Sequence, residues 1–307
     1  MVRVGLIGAK GIDALIEEAT SGRCECVSLL PEKKLSIRLL NNIYWGTYFS
    51  LKCLKADVVY FTFIGPWVKY CAKVANLLRK KVVFHWAGTD VYTLIQGNLQ
   101  AQKWSCRVDL HLSYGQNLTE ELATMGIHAQ AMPIPPSTPE VKSKMPDEHA
   151  VLLSIPDSRA DFYGYQTMLE VIRLFPNIKF VVVRAQEKAR YNEPNVDFRG
   201  VVSKEEMNSV YDDVSIVLRY PEHDGTSLLL MESLLRGKRL ISRFAFPFAQ
   251  QVEGIDEISL ALKKCLEEPL IPDENGINYA EENFNSQKFA ADFMKNIYDV
   301  LGHDENS

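Results

Sequence analysis

No run of about 18 apolar residues occurs in the sequence, so no segment reads as a bilayer-spanning helix. Cysteine is scarce, six in 307 residues, and its spacing is wrong for a metal site. Cys24 and Cys26 are one residue apart and the rest are scattered, which fits neither a zinc ribbon nor a thioredoxin-like pair. Reduced, mostly buried thiols are expected. The opening MVRVGLIGAKG lacks the apolar core and small-residue cleavage site of a signal peptide, so a cytoplasmic location is expected. Short repeats and low-complexity tracts are absent. A basic excess is absent too: the net charge is −5, which excludes nucleic-acid binding by the chain as a whole. That deficit is uneven. Residues 1–140 carry 15 Lys/Arg against 11 Asp/Glu, a net of +4, and the remainder carries −9. Two halves of opposite charge suggest two domains meeting different partners.

What is present is an ordinary globular composition, 47% apolar and 24% charged, at a length of about two domains. In the first half, strand-like runs alternate with helical patterns. "VRVGLIGA", "ADVVYFTFIG", "KKVVFHWAG" and "VDLHLSYG" read as strands. Val68, Cys71, Ala72, Ala75, Leu77 and Leu78 recur at helical spacing, and "NLTEELATMG" reads as a helix stopped by Gly126. Pro133, Pro135, Pro136, Pro139 and Pro146 then forbid any regular element, and 137–149 is the expected linker. A second series follows. "AVLLSIP", "IKFVVVRA", "VDFRGVV", "VSIVLRY" and "KRLISRF" read as strands. "YQTMLEVIRLFP", "SKEEMNSVYDD", "SLLLMESLLRG" and "IDEISLALKKCLEE" read as helices, the second opening on a capping box, Ser203 and Glu206. "NSQKFAADFMKNIYDVLG" is a last amphipathic helix. Alternation of this kind means βαβ units and parallel sheets. The expected fold is α/β, two tandem Rossmann-like domains over 1–136 and 150–286, with a closing helix at 287–302. Ligands of such sheets bind beyond the carboxyl ends of the strands, so the default site is a cleft faced by both sheets.

The most informative stretch is 201–242. A strand ends near Arg219, a polar loop holds Gly225, Thr226 and Ser227, and a helix starts near Ser227. Free N–H groups at that helix start attract an anion, and small residues let a phosphate approach. Asp224 lies in the loop and Glu232 eight residues on. Acids on either side of a phosphate-seeking helix end suit a nucleotide sugar, one holding sugar hydroxyls and the other ribose. Gly8 and Gly11, after the first strand, either make the turn or give an acceptor room. Trp67 and Trp86 either stack on a sugar ring or pack in the core.

This stretch resembles the second-domain signature of family 4 of the GT-B glycosyltransferases, the "group 1" glycosyltransferases. Asp224, Gly225, Glu232, Ser233 and "GKRLIS" match it, with Asp in place of the usual first Glu. "VSKEEMNSVYDDVSIVLRY", "DVVYFTFIG", "KKVVFHWAGTD", "LSYGQNLTEELATMGI", "AMPIPPS" and "NFNSQKFAADFMKNIY" fall in the family's order, so the resemblance covers nearly the whole chain. It implies a GT-B fold and a retaining, metal-independent transfer of a sugar from a nucleoside-diphosphate sugar, UDP- or GDP-linked, to an acceptor hydroxyl. No cofactor is implied. Glu232 would hold the donor ribose, Asp224 the donor sugar, and Thr226 and Ser227 the sugar or diphosphate. The family's "HGSD"-like motif maps onto Gly88, Thr89 and Asp90, with its His replaced by Ala87. His85, two residues earlier, is the substitute on the same strand face. Where the family presents Arg and Lys to the leaving diphosphate, this chain has Arg159 and Tyr163, with Arg219 available to help. The implied acceptor is a glycan, glycolipid or polyprenyl-linked sugar. Lys33, Lys34, Arg38, Arg79, Lys80 and Lys81 suit peripheral contact with an anionic membrane, at the inner face of the cell membrane. Two alternatives are a GT-B nucleotide-sugar epimerase and a non-catalytic nucleotide-sugar-binding protein. A dehydrogenase is disfavoured because "GLIGAKG" lacks G-x-G-x-x-G spacing.

Overall fold

A computed structural model describes residues 1–8, 10–31, 38–136 and 144–302. The chain divides into two compact units, Met1–Ser137 with Phe284–Ser307, and Thr138–Asn283. Each is a parallel-sheet α/β unit, as the alternating pattern predicts. The central strands are apolar on both faces because helices cover both sides. Strands Val58–Phe61 of the first unit and Ala150–Ser154 of the second are buried at every position.

The first unit runs β1 (Arg3–Ile7), α1 (Lys10–Ala19), β2 (Glu25–Ser28), α2 (Arg38–Lys55), β3 (Val58–Phe61) and α3 (Val68–Leu77), then β4 (Lys81–Trp86), α4 (Thr89–Ile95), β5 (Leu110–Ser113), α5 (Gln116–Thr124) and β6 (Gln130–Ala131). The sheet order is β2-β1-β3-β4-β5-β6, all parallel. Phe49 and Cys53 of α2, Ala72 and Ala75 of α3 and Leu118 of α5 share one core with Phe61, Phe84 and Trp86. On the other side, Ile16 of α1 packs with Phe289, Phe293 and Ile297 against Val4, Leu6 and Tyr60. The C-terminal helix that supplies those phenylalanines therefore belongs to the first unit.

The second unit runs β7 (Ala150–Ser154), α6 (Tyr165–Leu174), β8 (Lys179–Val183), β9 (Val196–Gly200), α7 (Lys204–Asp212) and β10 (Ile216–Arg219), then α8 (Leu228–Leu234), β11 (Arg239–Ser242), β12 (Ala249–Gln251), α9 (Gly254–Glu267) and α10 (Glu274–Asn283); α11 (Ser286–Leu301) is the closing helix. Its order is β12-β11-β10-β7-β8-β9, all parallel. α7 carries the expected capping box: Ser203 Oγ accepts from Glu206 N at 3.2 Å and Glu206 accepts from Ser203 N at 2.6 Å. Residues 137–143 of the expected linker lie outside the described residues. The rest of it is fastened to the second unit, where Lys144 O accepts from the buried Lys238 Nζ at 2.9 Å.

In each sheet the strand order reverses once, between β1 and β3 in the first unit and between β7 and β10 in the second. Loops leaving two such strands run in opposite directions and open a crevice at the carboxyl edge, the usual ligand position in open α/β sheets.

Candidate functional site

The β7–β10 crevice of the second unit holds most of the residues singled out in the sequence. β10 ends at Arg219, whose Nε donates to Asp224 Oδ2 in a short ion pair. Asp224 Oδ1 accepts from Gly225 N at 3.2 Å. Burial pushes the Arg219 proton affinity down, but the charge and hydrogen bond of Asp224 together with Tyr163 more than offset this and leave it raised. The guanidinium lies 5.4 Å from the centre of the Tyr163 ring, so the tyrosine supports an arginine. Arg159, on the loop after β7, stacks its guanidinium over Phe162 at 3.8 Å. The two loops are joined by Glu222 N donating to Phe162 O at 2.7 Å. Gly164 lets them approach. It has φ +73°, and a Cβ there would lie 2.6 Å from Tyr220 O. Thr226 is half-buried and Ser227 buried, at the start of α8. That helix is only seven residues long, so fixed cations outweigh its small dipole as an anion attractant.

Four arginines mark this edge of the sheet. Arg184 follows β8 directly, Arg219 ends β10, Arg243 follows β11, and Arg159 lies five residues after β7. Arg219 is neutralised by Asp224, and Arg243 pairs with Glu253 at 2.9 Å. Arg184 is exposed, with φ +68°, a left-handed backbone that a non-glycine residue adopts at a cost. Among the described residues its side chain has no hydrogen-bond or ion-pair partner. Arg184 and Arg243 were missed in the sequence. Their signal was there, an arginine closing an apolar strand run in "VVVRA" and "LISRF", as in "VLRY".

Glu232 sits on α8 within a cluster reaching to α7. Its Oε2 accepts from Tyr211 Oη at 2.6 Å. Arg236 lies over the Tyr211 ring at 4.2 Å and donates to Glu232 O and Asn208 Oδ1, each at 2.9 Å. Burial and the Glu232 charge hold the Tyr211 hydroxyl well above its ordinary pKa, so it stays a donor. Among the described residues Glu232 Oε1 has no protein partner. The carboxylate is thus fixed through one oxygen with the other available, as a hydroxyl ligand requires.

In the first unit the sequence candidates separate. His85 is fully buried and both ring nitrogens are engaged. Met132 O can only accept, so Nε2 donates to it at 2.9 Å, and Nδ1 accepts from Tyr60 Oη at 2.8 Å. Burial pushes its pKa down to about 3. It is a neutral histidine within the core of the first unit. Asp90 is also fully buried, accepting from Ile64 N and Val91 N at 2.8 Å each. Burial raises its pKa to about 7 against those bonds. It fastens α4 to the loop after β3, with Gly88 and Thr89 forming the turn into the helix. Trp86 is core, donating from Nε1 to His111 Nδ1 at 3.1 Å, whereas Trp67 is partly exposed. Gly8 stands at the β1–β3 crevice, where a Cβ would lie 2.3 Å from Thr62 Oγ1 and 2.9 Å from Phe63 N. Gly11 faces open space within 4 Å. Asp13, not singled out in the sequence, accepts from Thr62 Oγ1 at 2.6 Å at the same crevice, and burial raises its pKa to about 6. Lys33 and Lys34 lie outside the described residues, as does the Arg38 side chain. Among the described residues no three His, Cys, Asp or Glu side chains gather as metal ligands, and no helix is long and apolar enough to cross a membrane.

Two doubly wound parallel-sheet units in one chain are the GT-B-like, double-Rossmann fold. The chain resembles sucrose-phosphate synthase from Thermosynechococcus elongatus at TM-score 0.71 and 12% identity, covering 98% of this chain and 100% of that one. It resembles the pneumococcal O-GlcNAc transferase GtfA, solved with UDP and GlcNAc, at TM-score 0.56 and 13% identity; the match covers 84% of this chain and 60% of GtfA. It resembles UDP-GlcNAc 2-epimerase from Neisseria meningitidis bound to UDP-GlcNAc at TM-score 0.55 and 13% identity, covering 98% and 99%. At these identities the likeness is one of fold. No family model and no curated protein matches the chain.

Proposed function

We propose that the chain is a GT-B enzyme acting on a nucleotide sugar, and specifically a retaining glycosyltransferase. The observation that carries this is the carboxyl edge of the second sheet, where Arg184, Arg219 and Arg243 at strand ends and Arg159 on the loop after β7 stand with the Asp224 loop. Glu232, held by Tyr211 with one oxygen available, extends that set. In this reading Glu232 takes the ribose hydroxyls and Asp224, oriented by Arg219, takes a donor-sugar hydroxyl. Gly225, Thr226 and Ser227 lie along the sugar and diphosphate. Arg159 and Arg184 neutralise the diphosphate, a positioned-charge effect that replaces the family's lysine. The acceptor oxygen attacks the anomeric carbon on the face the leaving group departs. The bond from that carbon to the β-phosphate oxygen breaks, and the hydroxyl proton passes to that oxygen. Activity insensitive to EDTA is the expected consequence of giving the charge to arginines. Gly8, Gly11, Gly88, Thr89 and Asp90 are assigned to shaping the acceptor side, with His85 confined to the core beneath it. Assignment to family 4 rests on the 224–232 motif. UDP or GDP is the expected nucleotide, and a glycan, glycolipid or polyprenyl-linked sugar the acceptor, used at the inner face of the membrane.

A nucleotide-sugar epimerase is the second reading, since an epimerase structure is covered as fully in both directions as sucrose-phosphate synthase is. The first test is a thermal-shift series with UDP, GDP, ADP and CMP and their sugar conjugates, on wild type and Glu232→Ala. A shift from one nucleotide, weakened about 10–100-fold in apparent affinity by the substitution, is the expected result, since a charge-assisted hydrogen bond contributes about 1.5–3 kcal/mol. No shift from any of them would overturn the donor assignment. Nucleoside diphosphate released only with acceptor marks a transferase. A new sugar conjugate formed without acceptor marks an epimerase, and binding without turnover marks a binding protein.

A further inference from the structure

The first unit presents a surface that its own fold leaves unused. α2 and α3 bury one side against the sheet, through Phe49, Cys53, Ala72 and Ala75. Their outer sides carry exposed apolar residues beside polar ones such as Thr47 and Lys73. Ile43, Leu51 and Leu54 of α2 are 58%, 60% and 54% exposed, and Tyr70 and Leu77 of α3 are 64% and 82% exposed. At 100° per residue, 43, 51 and 54 fall on one stripe of α2, and 70 and 77 on one stripe of α3. The helices lie side by side on the same face of the sheet, and Lys80, just past α3, donates from Nζ to Leu54 O at the end of α2 at 3.0 Å.

The segment that carries this face is basic, although Lys81 lies in β4 and pairs with Asp109 at 3.5 Å. From Arg38 to Lys81 there are eight Lys/Arg and a single acid, Asp57, which accepts from Arg3 N at 2.8 Å. Neither helix contains Asp or Glu. A net of +7 over 44 residues in a chain of net −5 is a strong local field. The Lys52 and Lys69 ammonium groups lie over the Tyr48 and Tyr70 rings, 5.6 and 4.9 Å from their centres. Aliphatic side chains rimmed by lysines and tyrosines match an anionic bilayer surface, which offers negative headgroups above an apolar layer. A nucleic acid would meet the charge but leave the leucines and isoleucine without a partner.

We infer that the outer face of α2 and α3 docks the chain on a membrane bearing anionic lipid headgroups. This gives a surface to the membrane contact of the preceding reading, but it does not depend on the reaction, because the test uses no donor. The full chain is sedimented with vesicles of phosphatidylcholine alone and of phosphatidylcholine mixed with phosphatidylglycerol, at low and high salt. Binding to the mixed vesicles only, reduced by salt, is expected. Lys55→Glu with Lys73→Glu, and separately Leu51→Ser with Leu77→Ser, should each weaken it at least tenfold. These side chains are solvent-exposed, and far-UV circular dichroism with tryptophan fluorescence checks that each variant is folded. Absence of sedimentation with mixed vesicles overturns the inference, as does wild-type binding by both variants. Binding to duplex DNA instead, lost only in the charge variant, would reassign the face to a polyanion. Self-association abolished by the leucine variant, without vesicle binding, would reassign it to a second copy of the chain.

Discussion

Arg219→Met is expected to destabilise the second unit by about 3 kcal/mol, because it removes the guanidinium held against the largely buried Asp224 carboxylate. The two side chains are only 10% and 18% exposed, so water cannot replace the lost guanidinium cheaply. Removing both charges should be far milder: Arg219→Met with Asp224→Leu should recover most of the loss, since a buried pair replaced by apolar groups of similar volume is often neutral. All four tryptophans, Trp45, Trp67, Trp86 and Trp104, lie in the first unit. Tryptophan fluorescence therefore follows that unit alone, and far-UV circular dichroism adds the second. In urea, the single variant should lower only the component seen by dichroism and missed by fluorescence. A cost below about 1 kcal/mol would put the pair in the class of surface ion pairs. Asp224 would then not be held for a ligand, and the donor-site proposal would lose its anchor. Function separates the two variants from stability. The double variant, though refolded, should bind and turn over no better than the single one, because neither presents an oriented carboxylate to the donor.

The second unit was more legible in the sequence than the first, and the reason is burial. Strands covered on both faces must be apolar throughout, and β7, β8, β10 and β11 announce themselves as runs. β2 and β12 do not. β2 is a half-buried edge strand, ECVS, with no apolar run to find, and β12 is three residues of AQQ. α2 was missed for a different reason. Its exposed Ile43, Leu51 and Leu54 and its internal Gly46 blur the period that marks an amphipathic helix, since apolar residues appear on both sides. The feature that hid the helix is the one that gives its outer face a proposed role. Among candidate site residues, the placement of Asp224 in a loop and Glu232 on the helix after it was legible, because a loop and a helix start fix their spacing. The arginine set was only half readable. Arg184 and Arg243 join Arg159 and Arg219 through strand order, with β8 and β11 flanking β7 and β10, and strand order is a long-range property that a local pattern does not carry. His85 shows the converse limit. Its spacing from Ala87 placed it on the correct strand face, but whether that face looks at solvent or at Tyr60 and Met132 depends on α11, which packs beside Tyr60 from 200 residues away.

That placement of His85 makes a pH-dependent prediction with a definite sign. Burial holds its pKa at about 3 against an ordinary 6.5, so the unfolded chain binds a proton that the folded one refuses. Between those values stability falls as pH falls, by about 1.4 kcal/mol per pH unit for this one group. Asp90 and Asp13 act oppositely. With pKa values raised to about 7 and about 6, they weaken the fold as pH rises from about 4. His111, lowered to about 4 by burial, adds to the His85 effect. The pH profile of the wild type alone is therefore a sum of opposing slopes and shows little. His85→Gln isolates one of them, because a glutamine can still donate towards Met132 O and accept from Tyr60 without titrating. Followed by tryptophan fluorescence in urea, the stability of the variant relative to wild type should rise as pH is lowered from about 6.5, reaching a relative gain of about 3 kcal/mol near pH ~4. Asp13, Asp90 and His111 are common to both proteins and cancel in the difference. A difference that stays flat across that range would show that His85 takes up its proton equally well in the folded state. Water would then reach the ring, and the histidine would return to the substrate side of the first unit.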